Sequence, residues 1–280
     1  MIEKKDLVKT DPTLLHTLPF SASWKRKKEF TKTVKWGDIT VTLESPQTIN
    51  AYDLVTLLQL LKKYIQNSNL FNKVSENLEG KSIIRCKLKP SDFMKDRGLE
   101  NDPHNRESFI DSLFRWKGVD YTESSPQGKL KTSFVYEVYH DKIKDEIEIL
   151  LNEKFFDFCI SKKGLAIDFK QVLQYKSPRT ILLDLFIQST KWKQYHEDLL
   201  YEKTGLNDTD MDLKDKKKAL KKCFEDIKLH ANLDFTYENG YWTNYTQICD
   251  SWFAMTNTYY PCHDTISGSS NRQESGLWLR

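Results

Sequence analysis

The feature that most restricts the fold of this sequence is an order of elements that occurs twice. In the first half, Ile39-Thr-Val-Thr-Leu43 alternates apolar and polar residues as a half-buried strand does. Between Ile49 and Ile65, the residues Leu54, Leu57, Leu58, Leu61 and Ile65 recur at helical spacing. Ile83 to Leu88 is a short strand candidate, and Ser91 to Arg97 predicts a short helix ended by Gly98. Asp102-Pro103 opens another helix, with Asp as cap and Pro in the first turn, carrying Phe109, Ile110, Leu113 and Phe114. Two β-like runs follow, Val119 to Thr122 and Thr132 to Tyr139, around the turn-prone Ser124-Ser125-Pro126-Gln127-Gly128.

The second half repeats this order. Residues 143–173 form a join, with a strand or helix around Ile147 to Leu151 and a β-like Phe155 to Ile160. Ser177-Pro178 opens a helix through Ile181, Leu182, Leu185 and Phe186, and a shorter one from Glu197 ends at Gly205-Leu206, echoing Gly98-Leu99. A third helix spans roughly Leu213 to His230. It leads into Leu233 to Tyr237, the turn Asn239-Gly240, and Tyr241 to Thr243, a strong hairpin signal. Val119-Asp120-Tyr121 matches Leu233-Asp234-Phe235 after the corresponding helices. Three helices closed by a β-hairpin form the winged-helix order, and a repeated supersecondary unit is hard to obtain by chance. The expected fold is therefore α+β, with two tandem winged-helix domains, each of three helices plus a hairpin wing. Residues 1–36 are expected to form an N-terminal arm, 37–160 a first domain, 161–245 a second, and 246–280 a flexible tail.

Composition agrees. A chain of 280 residues suits two domains, and 39% hydrophobic with 12% aromatic content is enough to fill packed cores. The net charge of +3 says little about partners, since nucleic-acid affinity depends on where Lys and Arg sit against phosphate. Cys86, Cys159, Cys223, Cys249 and Cys262 are scattered with no CxxC pair, so neither a zinc site nor a disulfide framework is indicated. The charged start lacks an apolar signal segment, and no apolar run approaches the ~18 residues of a membrane span. A soluble, cytoplasmic protein without membrane contact is expected.

The sharpest chemical feature is the third helix of the second half. Leu220, Cys223, Phe224 and Ile227 commit one face to a core. The remaining faces hold Lys214, Lys216, Lys217, Lys218, Lys221 and Lys222. A solvated lysine face and a phosphate-contacting face are both open on composition alone; the position before an Asn-Gly hairpin favours DNA. A major groove about 12 Å wide admits one helix, and lysines suit phosphate better than bidentate base reading. Arg179 at the start of the Ser177-Pro178 helix is either a phosphate contact or a surface arginine. In the wing, Tyr237, Asn239 and Tyr241 could reach a groove or simply pack the hairpin. In the first half, Arg106, Arg115, Lys117, Lys129 and Lys131 divide evenly between DNA contact and a dimer or domain interface. Lys25-Arg26-Lys27-Lys28 is a solvated arm or a phosphate contact.

Enzymatic readings fail on spacing. Gly80-Lys81-Ser82 looks like the end of a phosphate-binding loop, but that motif needs Gly where Ser75 stands, and Glu76 and Glu79 would repel phosphate. No two histidines lie two residues apart, as the metal site of a rolling-circle nicking enzyme requires. Cys262-His263 with Cys249 is an incomplete metal set, and Asp141, Asp145 and Glu148 fit a surface helix. No nucleophile motif occurs. The expectation is a non-enzyme without cofactor or metal.

Three segments carry a family resemblance: Lys176-Ser-Pro-Arg-Thr-Ile-Leu-Leu-Asp-Leu-Phe186, Leu199-Leu-Tyr-Glu-Lys-Thr-Gly-Leu206 and Lys218-Ala-Leu-Lys-Lys-Cys-Phe-Glu-Asp-Ile227. With the Tyr-rich hairpin, they resemble the C-terminal winged helix of theta-type, iteron-binding plasmid replication initiators. Tyr52-Asp-Leu-Val-Thr-Leu-Leu58 is similar to that family's first-domain scaffold helix. The resemblance covers roughly residues 39–245. It departs at Leu183-Asp184-Leu185-Phe186, where the family usually shows Leu-Tyr-Glu-Leu. It implies binding of double-stranded DNA at repeated origin sites, a host replication initiator and helicase as partners, and homodimerisation through the first domain; the alternatives are a winged-helix transcriptional regulator and a protein-interaction module without DNA binding.

Overall fold

A computed structural model describes residues 7–23, 28–74, 82–161, 164–231 and 233–244. Strand β1 (Leu7–Thr10) leads to helix α1 (Pro12–Thr17), where Asp11 caps by accepting the Thr13 amide at 2.7 Å. Strands β2 (Lys28–Trp36) and β3 (Ile39–Gln47) form a hairpin turned through Gly37 at φ 59°. The expected arm over 1–36 is corrected by these elements: Val8, Leu14, Leu15, Leu18 and Phe20 are all buried. Their irregular spacing hides a periodic signal because their partners come from distant parts of the chain.

Helix α2 (Ala51–Gln66) starts at a capping box in which Asn50 and Asp53 bond each other's amides. Strands β4 (Phe71–Lys73) and β5 (Ile83–Leu88) precede helices α3 (Pro90–Arg97) and α4 (Pro103–Lys117); α4 opens on proline as the sequence predicts, and α3 opens on Pro90, one residue before the expected start. Hairpin β6 (Asp120–Ser125) and β7 (Gly128–Thr132) is followed by a second one, β8 (Val135–Asp141) and β9 (Glu146–Asn152). Helix α5 (Glu153–Ile160) replaces the β-like run expected over Phe155 to Ile160. Asn152 explains the difference: its side chain accepts the Phe155 amide at 3.3 Å and caps a helix that buries Phe155, Phe156 and Cys159.

Strand β10 (Leu165–Asp168) and helix α6 (Phe169–Val172) open the second half. Helix α7 (Pro178–Thr190), strand β11 (Gln194–His196), helices α8 (Glu197–Lys203) and α9 (Leu213–Ala231), and hairpin β12 (Phe235–Glu238) with β13 (Tyr241–Asn244) complete it. The tail over 246–280, with Cys249, Cys262 and His263, and the basic residues Lys25, Arg26 and Lys27 lie outside the described residues.

The repeat is real, but its hairpins correspond differently from the sequence match. In the second half, β11 precedes the short helix and pairs with β13, the second strand of the hairpin. In the first half, the strand before the short helix is β5, and it pairs with β9, so β8–β9 corresponds to β12–β13. Hairpin β6–β7 is an addition that joins β2–β3 in a separate four-stranded sheet. The echo of Val119-Asp120-Tyr121 with Leu233-Asp234-Phe235 therefore sets two non-equivalent strands side by side.

The other echo holds at atomic detail. Leu99 and Leu206 donate backbone N–H bonds to the Met94 and Tyr201 carbonyls at 2.9 and 2.8 Å. Gly98 and Gly205 donate to Lys95 and Glu202, both at 3.1 Å, with φ of 65° and 66°. Each is a Schellman turn that needs the left-handed residue to stop one helix before the next begins.

The two halves share one continuous core. Strand β1 pairs antiparallel with β10, and α1 and α2 both pack on α7. Trp36 stacks between His16 and Trp192 at centroid distances of 5.2 and 5.6 Å. Beneath it, Lys203 is buried with its ammonium 5.2 Å from the Trp36 ring centre and 2.9 Å from Glu202 Oε1.

Candidate nucleic-acid interface

Helices α7, α8 and α9 are held against the three-stranded sheet β11-β13-β12 by aromatic packing. Phe224 of α9 stacks on Trp242 of β13 at 4.1 Å and packs against Phe235 of β12 at 4.6 Å. Thr180 donates to Asp226 at 3.1 Å, tying the start of α7 to α9. At the hairpin tip Asn239 and Gly240 both adopt positive φ, 50° and 83°, the backbone that an Asn-Gly turn supplies cheaply.

This packing sorts the lysines of α9. Leu220, Cys223, Phe224 and Ile227 face the core, so Lys214, Lys218, Lys221 and Lys222 fall on the opposite side and are exposed. Two exposed acids lie among them, Asp215 and Glu225, the latter 4.0 Å from Lys221, and Lys228 further along pairs with Asp234 at 2.8 Å. Lys216 is half-buried at the border of the core.

Lys217 belongs to a different group. It donates to the Tyr237 hydroxyl at 3.1 Å, lies 3.5 Å from Glu197, and sits over the Tyr237 ring at 5.4 Å. Tyr237 and Tyr201 both donate to Glu197 Oε2, at 2.7 and 3.1 Å. Burial pushes the Glu197 carboxyl up, but the two hydroxyls and Lys217 together hold it below the ordinary carboxylate value. The hydrogen bond to Tyr237 and the Glu197 charge raise Lys217. The group clasps strand β12 to α8 and α9. Asn239 is exposed at the tip, and Tyr241 is exposed with His196 edge-on to its ring at 4.9 Å.

The remaining sequence candidates disperse. Arg179 is half-buried beside Cys223 at the α7–α9 seam, and its Nε is buried without an acceptor. Arg115 is corrected outright: it donates to Asp53 from Nη2 at 2.6 Å and Nε at 3.0 Å, with only 7% of its side chain exposed. The same Asp53 accepts from Ser112 at 2.8 Å and is fully buried, so this pair belongs to the core of the first half. Arg106 is bound to Asp145 in the β8–β9 turn. Lys117 is exposed at the end of α4, whose outer face otherwise carries Glu107, Asp111 and Phe114 and is not basic. Lys129 and Lys131 lie on β7 in the additional hairpin, not in β8–β9, the hairpin that corresponds to β12–β13.

Sequence reasoning missed Glu197 and Tyr201. The only local signal, Glu197 and Tyr201 one helical turn apart, is ordinary for a surface helix, and Lys217 and Tyr237 reach them only through the tertiary fold. Among the described residues no cluster of three or more His, Cys, Asp or Glu is arranged to hold a metal, and no helix is long and apolar enough to cross a membrane.

No family model and no curated protein matches the sequence. Solved structures do match in fold, two of them of RctB. A selenomethionine crystal structure of domains 2 and 3 of RctB superimposes with a TM-score of 0.59 at 12% identity, covering 84% of this chain and 99% of that one. A second structure of RctB domains 2–3 gives 0.58 at 14% identity, covering 87% and 99%. The shared property is the α+β architecture, matched across almost the whole of a two-domain unit.

Proposed function

We infer that this chain is a non-enzymatic, sequence-specific binder of double-stranded DNA that initiates plasmid replication at an origin with repeated sites. Its body is read as two tandem winged-helix domains, in which α3–α4 and α8–α9 are the helix–turn–helix pairs and β8–β9 and β12–β13 the wings. One observation carries the reading. The exposed side of α9, the third helix of its unit and adjacent to a clasped wing, presents Lys214, Lys218, Lys221 and Lys222 in one row. A row of cations on a helix that fits a major groove is the arrangement that neutralises phosphates on both sides of it.

The fold shared with domains 2 and 3 of RctB supports a two-domain architecture of this kind, and the resemblance to iteron-binding initiators supports the functional reading in the second half. Base reading would fall to Asn239, Tyr241 and His196 at the wing, since lysines discriminate bases poorly. The host replication initiator and helicase, and a second copy of the chain, are the partners this role would require.

Fluorescence anisotropy against duplex DNA across a salt series tests it. The Lys218→Ala, Lys221→Ala, Lys222→Ala triple variant should weaken binding and make the log–log salt slope shallower by ~2.7, about 0.9 for each lost phosphate contact. A parent-like slope in this variant would remove α9 from the interface.

A further inference from the structure

The outer face of the additional sheet is built from lysines and hydroxyl side chains. In an antiparallel sheet, directly opposed residues share a face. Lys35 opposes Thr40, Thr40 opposes Ser124, and Ser124 opposes Lys129. One step along, Thr33, Thr42, Thr122 and Lys131 form a second row. Val34, Val41 and Leu43 occupy the inner face and are buried, so these two rows point outward, and all eight of their residues are exposed or half-exposed.

Across both rows stand three lysines and five hydroxyls, with no carboxylate, no aromatic ring and no aliphatic side chain. The acids lie outside them: Asp38 in the β2–β3 turn, and Glu44 opposite Asp120 in the next row. Asp120 pairs with Lys131 at 3.0 Å, whereas Lys35 and Lys129 have no carboxylate partner among the described residues.

We propose that this face is a second phosphodiester-binding surface and that its occupant is the backbone of duplex DNA. The inference deepens the duplex-binding reading and rests on it. The chemistry selects the occupant. A face without apolar side chains cannot supply the buried core of a protein interface, and one without aromatic rings offers unstacked bases no platform. Hydroxyls and unpaired ammonium groups are what phosphate oxygens accept bonds from. The scale fits too: four strands at ~4.8 Å spacing put the Lys35 and Lys129 backbones ~14 Å apart. A B-form major groove is ~12 Å wide, so cations on the two sheet edges reach phosphates on both strands bordering one groove.

The decisive measurement is made in the Lys218→Ala, Lys221→Ala, Lys222→Ala background, where residual duplex binding reports surfaces other than α9. Adding Lys35→Gln and Lys129→Gln should weaken that residual binding and flatten its salt slope by ~1.8, at about 0.9 for each contact. Lys35→Arg with Lys129→Arg should keep the slope, which a loss of fold would not allow. A glutamine pair that leaves the slope unchanged, or a background that binds no duplex even at low salt, overturns the assignment. If instead the α9 triple variant itself behaves as the parent, the α9 reading fails and the effect of the glutamine pair still judges the sheet.

Discussion

The two halves share an order of strand, short helix, long helix and hairpin, and they place their cations in opposite ways. In the first, the guanidinium of Arg115 is drawn inside to neutralise Asp53, and Arg106 is bound to Asp145, leaving the outer face of α4 acidic and apolar. In the second, the equivalent helix α9 closes its core with Leu220, Cys223, Phe224 and Ile227 and needs no buried cation, so its lysines remain outside. The same backbone plan therefore yields a packing element in one half and a charged surface in the other. The cationic surface of the first half stands instead on the added β2-β3-β6-β7 sheet.

The contrast predicts that arginine and lysine substitutions act on different quantities. Arg115→Ala should cost about 3–5 kcal/mol of stability, because it strands a fully buried carboxylate, while salt-dependent duplex binding per folded molecule stays at the parent slope. Urea denaturation together with the binding series checks both; a stable variant with a shallower slope would return Arg115 to the DNA.

In one respect the halves behave alike. Asp11 in the first and Asp184 in the second are both fully buried, and desolvation pushes each up to about 7. The nearby Glu123 adds to the rise at Asp11, and hydrogen bonds from Gln188 and Gln171 oppose it at Asp184. The folded chain thus holds these protons more tightly than the unfolded one, where aspartate titrates near 3.8. The resulting stability is complete below about pH 4 and is lost as pH rises through about 7. Unfolding free energy should fall between pH 5 and pH 8 by a few kcal/mol, since each pK unit is worth about 1.4 kcal/mol. Asp11→Asn, which keeps the helix cap, should remove a large part of that fall; an unaltered pH profile would show that Asp11 is not the group titrating.

The smallest effect divides α9 itself. Lys218→Ala should flatten the salt slope by ~0.9, whereas Lys217→Ala should leave it near the parent value, because Lys217 is spent on Tyr237 and Glu197. Equal slopes for the two variants would mean that the clasp opens on DNA.

Much of this architecture was legible in the sequence where the signal is local. Caps and prolines placed the starts of α4 and α7, Gly98 and Gly205 marked two helix stops, and Asn239-Gly240 located the hairpin. The lysine row was legible because the apolar stripe of α9 fixes which side is left. Burial of residues 7–20 was not, since β1 finds its partner in β10 and α1 in α7, far along the chain. Nor was the fate of Arg115, which reads as a surface arginine until α2 brings Asp53 beside it. The hairpin of the first half was matched to the wrong partner for the same reason: strand pairing across β5 and β9 is decided by tertiary register, and local patterns cannot tell the corresponding hairpin from an inserted one.

The pairing of β1 with β10 also has a consequence for how the protein is made. On the order of 150 residues separate Thr10 from its partner Leu165. At a synthesis rate of about 5–20 residues per second, the leading strand and the apolar residues of α1 wait ~10–30 s before the segment that covers them exists. Strand β1 and helix α1 cannot reach their partners β10 and α7 before that segment has been made. At this seam Leu7–Thr10 are made well before the strand that covers them.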